Sequence, residues 1–320
     1  MRTTASSPRS RRSSRRPTPR RPEGPTLLID GSSLAYRAYH AIPAITAPDG
    51  VTGTNAVHGF LNFLSRLVPD RHPSRLHVAL DADWRPEYRV AALPSYKAHR
   101  VAGPNDPPDP VELQIALIVE VLGAFGISTG RSEGYEAEDV IASLAVRAKG
   151  AVEVVTGDRD LFALVRHPNV HVLYTLRGVS ELANVDQAWI RQKYGIPGDR
   201  YMDYAILRGD PSDGLPGVQG IGEKTASELL RKYGSLDAIL EAGDLSPTIR
   251  ARLARGAHYV VAAKRVVALA EECAVEGGDG RMPASPAHPE RLRELSERLG
   301  LAGPVERLTA ELRRLASTAA

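Results

Sequence analysis

Three aspartates each follow a short apolar segment that has the composition of a buried strand. Asp30 ends TLLID, Asp81 ends RLHVALD and Asp158 ends VEVVTGD. The carboxyl ends of parallel strands meet at one edge of a sheet, so we expect these side chains to lie close together. A single aspartate in such a place is more often a helix N-cap. Three of them on separate strands favour a shared chemical site.

Further carboxylates follow the same pattern at helix starts and in a turn. They are Asp160, Glu136, Glu138, Asp139, Asp210 and Asp213. So many acids in one crevice would repel and raise one another's pKa unless cations neutralised them. Oxygen ligands without paired histidines or cysteines indicate hard divalent ions, Mg²⁺ or Mn²⁺. Two such ions can activate water and neutralise the leaving oxygen of a phosphodiester.

The segment LPGVQGIGEKTASELLRKYG, residues 215–234, combines close glycines with a basic amphipathic helix. Gly217, Gly220 and Gly222 allow a tight hairpin, and Lys224 and Thr225 begin the helix that follows. Backbone amides at a helix start bind phosphate, which suits duplex binding without sequence preference. Ordinary turn glycines are the alternative interpretation. The pattern predicts a helix–hairpin–helix.

Residues 82–110 interleave cations and aromatic side chains before the breaker sequence GPNDPPDP. The residues concerned are Trp84, Arg85, Tyr88, Arg89, Tyr96, Lys97 and Arg100. Cations follow the backbone of a single strand and aromatic faces accept any base, so this composition suits a single-strand passage. A solvated basic loop is the alternative. We expect a long excursion over the surface next to Asp81, under which a single strand threads or docks.

The rest of the chain supplies elements that could position these residues. Strand patterns alternate with helical patterns up to about residue 185, which predicts a mostly parallel α/β sheet. Helices with Gly/Pro turns follow. We therefore divide the 320 residues into a basic disordered tail (1–25), an α/β domain (26–185), a helical DNA-binding domain (186–275) and a C-terminal extension (276–320).

Composition limits the class of protein. One cysteine excludes a disulfide framework and a cysteine-based zinc site, and no apolar run approaches the roughly 20 residues of a membrane span. A cytoplasmic protein with no membrane partner is expected. The net charge of +3 conceals eight arginines and one glutamate within residues 1–25. That tail is either a dispensable extension or an arm that binds polyanions.

The ordered motifs LLIDG, ALDAD, SYKAHR, GYEAED, VTGDRD and LRGDPSDGLPGVQGIGEKTA resemble the 5′→3′ exonuclease and flap endonuclease family. Over residues 26–275 the chain is similar to the bacterial 5′-nuclease domain of family-A DNA polymerases, here expected to be free-standing. The resemblance implies a PIN-like, mostly parallel sheet flanked by helices. It also implies a helical arch at about 82–110 and a C-terminal helix–three-turn–helix, the helix–hairpin–helix region.

The resemblance also implies residue roles. It makes metal ligands of Asp30, Asp81, Glu136, Glu138, Asp139, Asp158, Asp160, Asp210 and Asp213. Lys97 and Arg100 would act with Asp30 and Asp158 in catalysis, by electrostatic help at the scissile phosphate. Nucleic-acid contacts would come from Arg85, Arg89, Tyr96, Gly217, Gly220, Gly222, Lys224 and Thr225, with Tyr96 stacking on a base. The family's pattern has Asp at Glu138 and often Asn at Gly214.

The resulting prediction is a divalent-metal-dependent 5′→3′ exonuclease and 5′-flap endonuclease that acts as a monomer in replication and repair. It would use two Mg²⁺ ions, with Mn²⁺ as a substitute, and K⁺ at the helix–hairpin–helix. Its substrates would be DNA with 5′ ends, flaps or nicks, and an RNA primer in a hybrid is allowed. The alternatives are a DNA-binding protein that has lost catalysis and a PIN-type ribonuclease.

Overall fold

A six-stranded sheet forms the centre of the computed structural model, which describes residues 24–103 and 106–319. The spatial order is β3-β2-β1-β4-β5-β6. The strands are β1 (Thr26–Asp30), β2 (Arg75–Ala79), β3 (Ser128–Gly130), β4 (Val152–Thr156), β5 (Val170–Arg177) and β6 (Glu181–Val185). Only β6 runs antiparallel, paired with β5 at the edge. The expected mostly parallel sheet is confirmed.

Helices cover both faces of this sheet and continue after it. They are α1 (Gly31–Ala41), α2 (Asn55–Arg71), α3 (Glu87–Ala92), α4 (Pro110–Phe125), α5 (Ala137–Arg147), α6 (Gln187–Tyr194), α7 (Tyr201–Arg208), α8 (Glu223–Tyr233), α9 (Leu236–Glu241), α10 (Pro247–Arg255), α11 (Ala257–Val267), α12 (Pro289–Leu299) and α13 (Ala302–Ala319). Short 3-10 turns follow Lys97, Arg159 and Asp210. None of the helices in the described ranges has the length and apolar content to cross a bilayer.

The sheet separates two apolar cores. On one face, α1, α2 and α4 pack with residues such as Leu27, Phe60 and Phe125. On the other face, α5 packs in one continuous cluster with α7, α8 and α11. Since this second core joins strand residues such as Val154 to helical residues such as Leu230, the α/β part and the helical part are buried against each other.

The C-terminal extension packs on the first core. Leu292, Leu295, Leu308 and Leu312 are all at most 3% exposed, against α2 and α4. Burial of a leucine side chain contributes about 1.5–3 kcal/mol. The spacing of these leucines on α12 and α13 is the period of an amphipathic helix, but their partner surface could not be read from the sequence.

The expectation of a surface excursion over residues 82–110 is wrong for its middle part. Arg89 in α3 is fully buried, and Tyr96 and Lys97 are 2% and 8% exposed. Acids from α5 draw these side chains inward, because a buried carboxylate needs a donor or cation. The predicted basic tail falls almost entirely on residues 1–23, which lie outside the described residues.

Candidate active site

The three strand-end aspartates meet at one edge of the sheet. Asp30 accepts from the Ser33 backbone N–H at 3.0 Å, as the N-cap of α1, and from the Thr156 hydroxyl at 2.6 Å. Asp81 accepts the Ala137 N–H at 2.7 Å and so reaches the start of α5. Loss of hydration raises the pKa of Asp30 to about 7. The negative charges of Asp158 and Asp81 raise this pKa further, and the two hydrogen bonds partly offset the rise. Asp30 is therefore both a helix cap and a member of an acidic site.

Asp158 also belongs to a second group of acids, which we call the cleft acids: Asp158, Asp160, Asp210 and Asp213. Loss of hydration, together with Asp213 and Asp210, raises the pKa of Asp158. The pKa of Asp160 is raised well above its ordinary value by loss of hydration and by Asp158. Asp210 caps the turn at Ser212 and pairs with the Leu215 backbone, which brings the two ends of GDPSDGL together. The structure thus brings together acids that are 50 residues apart in sequence.

The arch-side acids, Glu136, Glu138 and Asp139, form a third set at the start of α5. Each offers an oxygen within 4.8 Å of the others, a spacing that could hold a metal ion. The guanidinium of Arg89 lies among them, 2.8 Å from Glu138 and 2.8 Å from Asp139, and it also pairs with Glu136. Its Nε donates to the Val266 carbonyl of α11 at 3.0 Å. The prediction that Arg89 contacts nucleic acid is wrong here, because every donor nitrogen faces protein.

Asp139 has a structural role that the resemblance did not imply. One oxygen accepts from Arg89 and from the Ala270 N–H, both within 2.9 Å. The other accepts from the Tyr88 hydroxyl at 3.1 Å and from the Glu136 N–H at 3.3 Å. A carboxylate oxygen has two lone pairs, so these bonds use both oxygens fully. Glu138, which contacts Arg89 through one oxygen, keeps more lone pairs for a metal, and burial raises the pKa of both Glu136 and Glu138.

Lys97 connects the arch-side acids to the cleft acids. Its ammonium contacts Glu136, and its backbone N–H donates to the Asp213 carbonyl at 3.0 Å. The residue has φ 48°, an uncommon conformation for a side chain larger than glycine. Burial opposes its charge, but Glu136, Glu138 and Asp213 raise the pKa of Lys97 overall. Arg100 contacts Asp213 at 2.7 Å, so both predicted catalytic cations line the cleft.

Tyr96 and Arg85 support the loop rather than face solvent. The buried Tyr96 hydroxyl donates to Glu136 at 2.7 Å, and Lys97 lies 5.0 Å from the ring centroid. Arg85 donates to the carbonyls of Tyr96 and Pro94 at 2.6 and 2.9 Å. The prediction that Tyr96 stacks on a base is therefore wrong for this conformation. Trp84 and Tyr88, at 40% and 39% exposed, are the open aromatic faces of this segment.

Gly214, where the resembling family often has Asn, is explained by packing. It has φ 72°, and a Cβ there would lie 2.1 Å from the Ser95 carbonyl oxygen. The Ser95 hydroxyl donates to the Gly214 carbonyl at 2.9 Å. Glycine thus lets residues 95–97 lie directly on the acidic turn, and this contact sets the position of Lys97.

The predicted helix–hairpin–helix segment lies beside the cleft acids. Gly217 and Gly220 have φ 70° and 83°, which is the left-handed conformation of turn glycines. The two interpretations of these glycines therefore agree, because the turn they form is that of the predicted hairpin. Gly222 differs, because its φ is −91° and a Cβ there would meet nothing within 4 Å. Lys224 is exposed and Thr225 half-buried in the first turn of α8. Their contact with nucleic acid stays a prediction.

Several cleft residues were missed by sequence reasoning. Tyr36 and Arg37 lie on α1, facing the cleft; the Tyr36 hydroxyl donates to Asp109, and Arg37 donates to the Gly157 carbonyl at 3.0 Å. Glu112 of α4 lies nearby, and burial together with Asp81 and Asp109 raises its pKa. Helical spacing could have identified these two residues, because Tyr36 and Arg37 lie one turn after Ser33 on the helix that Asp30 caps.

The donor set fits a divalent cation. The cleft has a volume of about 980 Å³ and is lined by Asp30, Asp81, Glu136, Glu138 and Asp158. Its acids outnumber the cations Lys97 and Arg100, and the pKa values of Asp30, Asp158 and Asp160 are raised by this crowding and by burial. All donors are carboxylate oxygens, which hard divalent ions prefer. A bound cation would relieve the repulsion.

Comparison with known protein families matches two models that together cover residues 25–289. Residues 25–195 match a 5′-3′ exonuclease N-terminal resolvase-like domain, and residues 196–289 match a 5′-3′ exonuclease C-terminal SAM fold. A 5′-3′ exonuclease of Streptomyces coelicolor is 46% identical over 89% of this chain and 99% of its own length. One from Mycobacterium tuberculosis is 42% identical over 90% and 98%. A DNA polymerase I of Mycobacterium bovis is 44% identical over 72% of this chain and 26% of its own.

Solved structures share the fold at low identity. A flap endonuclease 1 from Methanococcus jannaschii superposes with a TM-score of 0.60 at 17% identity, over 93% of this chain and 94% of its own. The T5 5′-exonuclease with bound zinc gives 0.57 at 15%, over 92% and 99%. The catalytic core of Rad2 with a DNA substrate gives 0.53 at 16%, over 92% of both chains. The two family models and the near full-length relatives show that this chain belongs to the 5′-3′ exonuclease family.

Proposed function

We propose that the protein is a Mg²⁺-dependent nuclease that degrades DNA from 5′ ends and cuts 5′ flaps, leaving 5′-phosphate products. The observation that carries this proposal is the meeting of the strand-end acids Asp30, Asp81 and Asp158 in one cleft, with Asp210 and Asp213 near enough to raise the pKa of Asp158. This cleft lies next to the start of α8, where the sequence predicts duplex binding. An acidic site beside a phosphate-binding segment suits hydrolysis of a phosphodiester.

The metal proposal assigns two ions to two groups of carboxylates. Asp30, Asp81, Glu136 and Glu138 would hold one, and the cleft acids would hold the other. Bound ions supply a Lewis acid and lower the pKa of water, which makes hydroxide accessible near neutral pH. Oxygen donors favour Mg²⁺, with Mn²⁺ as a substitute. K⁺ at the Gly217–Gly222 turn belongs to the same proposal and rests on the resemblance alone.

The protein's own side chains would bind and orient the scissile phosphate. Lys97 and Arg100 line the cleft from the arch side and offer positive charge opposite the acids. Preorganised donors that stabilise developing charge contribute strongly to catalysis. Two hydrogen bonds, from the Ser95 hydroxyl to the Gly214 carbonyl and from the Lys97 N–H to the Asp213 carbonyl, hold the backbone at Lys97 against the acidic turn.

The substrate proposal is DNA with a free 5′ end, a flap or a nick. The Rad2 core, which shares this fold, is described with a DNA substrate, and DNA polymerase I shares 44% identity with this chain over 241 residues. Open aromatic faces at Trp84 and Tyr88 suit a single strand that passes beneath residues 82–110. An RNA primer in a hybrid, a monomeric state and action in the cytoplasm complete the proposal.

The experiment is cleavage of a 5′-labelled flap duplex with Mg²⁺ and again with EDTA. Cleavage near the junction with Mg²⁺ and none with EDTA supports the proposal. Glu290→Gln, an exposed position on α12, serves as the control variant that should cut like the wild type. Cleavage that persists in EDTA would reject the metal requirement. Binding without cleavage in any divalent metal would instead support the alternative of a DNA-binding protein without activity.

A further inference from the structure

A second cleft lies between the cleft acids and the start of α8. Its volume is about 560 Å³, and its walls include the backbone of Gly209 and Gly222 and the side chains of Arg159, Tyr174, Arg208 and Glu223. Asp158 and Asp210 form its border with the active site. Both arginines lie within quoted motifs, Arg159 in VTGDRD and Arg208 in LRGDPSDG, but no sequence pattern assigned a role to either of them. Their position in the wall of the cleft suits the binding of an anion.

Arg208 is the last residue of α7, and its side chain is 15% exposed. Its Nε donates to the Gly209 carbonyl at 2.9 Å, and its two terminal nitrogens lie 3.2 Å from Asp210 and 3.4 Å from Glu223. The Tyr204 ring lies 5.6 Å below the guanidinium and holds its plane. The Glu223 side chain is 71% exposed, so this last ion pair contributes little and can be exchanged.

Arg159 and Gly222 complete the cleft. Arg159 is exposed beside Asp158, and a hydrogen bond to Tyr174 raises the pKa of its guanidinium. Neither φ nor packing requires glycine at position 222, since a Cβ there would meet nothing within 4 Å. The absence of a side chain leaves space for a ligand to approach the wall of the cleft. Two guanidinium groups and a hydroxyl around open space match a phosphate group.

We propose that this cleft binds one backbone phosphate of the DNA strand that runs from the cut toward α8, with Arg208 and Arg159 as its ligands. This inference rests on the proposed function and adds a phosphate subsite on the duplex side of the active site. On binding, the phosphate takes the place of Glu223 on Nη1 of Arg208, which exchanges an exposed ion pair for a contact with the phosphate. Asp210 keeps its contact with the same guanidinium, so Arg208 connects the subsite to the acidic site.

The exchange of Glu223 for phosphate on Arg208 predicts opposite effects when either charged residue is replaced by glutamine. Arg208→Gln removes a phosphate ligand and should raise KM about tenfold, with kcat nearly unchanged at saturating Mg²⁺. Glu223→Gln removes the competing carboxylate and should lower KM. Arg208→Lys keeps the charge but loses the fork, and should fall between the wild type and Arg208→Gln. Arg66→Gln, in an exposed pair with Asp70 on α2, is the matched control.

A series of flap duplexes, each carrying one uncharged methylphosphonate at a different position on the duplex side of the cut, tests the subsite. In the wild type, one position should weaken binding most, and in Arg208→Gln that position should lose its effect while the others keep theirs. Equal behaviour at all positions would overturn the subsite. So would an Arg208→Gln variant with unchanged KM and only a higher Mg²⁺ requirement, since Arg208 would then act on Asp210 alone.

Failure of the proposed function gives a different result. If the wild type cuts none of the duplexes, binding of the same methylphosphonate series can be measured by fluorescence anisotropy in Ca²⁺. A position-specific loss that disappears in Arg208→Gln would then support the subsite in a protein without the proposed activity. The absence of a position-specific loss would reject both the subsite and the proposed function.

Discussion

The arch-side acids and the cleft acids differ in what neutralises them. Arg89 and Lys97 lie buried against Glu136, Glu138 and Asp139, and Asp139 is fully hydrogen-bonded. Among the cleft acids, Asp213 pairs with the exposed Arg100 and Asp210 with Arg208, and within the described residues Asp158 and Asp160 have no ion pair. Buried cations of the protein already offset charge in the first set, so we expect the second set to depend more strongly on a cation from solution.

The largest expected effect is on catalysis at the cleft acids. Asp158→Asn should lower cleavage by about 10²–10³-fold or more, because a ligand that stabilises transition-state charge is lost. The free energy of unfolding of this variant in EDTA should not fall, because the fold disfavours the charged form of an acid whose pKa is raised. Single-turnover cleavage and urea unfolding measure the two quantities. Near wild-type cleavage would contradict the assignment of Asp158 to the metal site.

The next effect concerns the arch-side acids. Arg89→Met should lower the free energy of unfolding by about 3–5 kcal/mol, because it leaves Glu136, Glu138 and Asp139 buried without their guanidinium. Mg²⁺ should restore more stability to this variant than to the wild type. Urea unfolding with and without Mg²⁺ checks both points. Arg66→Met, which removes an exposed ion pair, is the control and should change stability by under ~1 kcal/mol.

A decrease of under about 1 kcal/mol in the free energy of unfolding of Arg89→Met would contradict the distinction between the two sets. The arch-side acids would then not depend on a cation from the protein, and the two sets would differ only in exposure.

The pH dependence of stability tests the strand-end acid Asp30, which belongs to neither set. Asp30 has a pKa of about 7 in the fold against 3.8 ordinarily, so between these values the folded state binds a proton that the unfolded state releases. Stability of the metal-free protein should therefore fall as pH rises. From pH 5 to 7 this group accounts for about 2 kcal/mol. Asp30→Asn keeps one acceptor oxygen for the Ser33 N–H, and its amide nitrogen can donate to the Thr156 hydroxyl, so this variant should lack the loss. Unfolding in EDTA at both pH values measures it. An equal loss in both proteins would assign the pH dependence to other groups.

A smaller effect is expected at the start of α8. Lys224→Glu should weaken duplex binding and lower the slope of log K against log salt by about one phosphate contact. Cleavage at saturating DNA should change less, since Lys224 lies outside the acidic cleft. Binding by anisotropy at several salt concentrations provides the measurement. Unchanged affinity would argue against the helix–hairpin–helix assignment.

The smallest effect concerns the basic tail. Removing residues 1–24 should weaken non-specific DNA binding at low salt and leave single-turnover cleavage unchanged, because release of counterions from DNA is remote from the acidic cleft. The same anisotropy titration, compared at low and high salt, detects the difference. Loss of cleavage would show that the tail takes part in the reaction.

Much of this protein could be predicted from its sequence. Strand-end acids predicted the edge of the sheet where Asp30, Asp81 and Asp158 meet, because parallel strands place their carboxyl ends together. The ordered motifs predicted the family, which the comparisons confirm. Strands β3 and β6 were missed, because Ser128–Gly130 is short and Glu181–Val185 lacks a strong apolar pattern.

Only the tertiary structure decided which charged residues face substrate and which face protein. Arg89, Tyr96, Lys97 and Arg100 share one basic, aromatic segment, and no sequence pattern distinguishes the buried Arg89 from the exposed Arg100. Their burial depends on partners distant in the chain, namely Glu136 and the Val266 carbonyl. Local sequence determines periodicity and turn conformation, but the partner of a charge is chosen by the packing of whole elements. The same reason explains why the second cleft could not be predicted, since only the packing of α7 and α8 against the sheet places Arg159, Arg208 and Gly222 around one space.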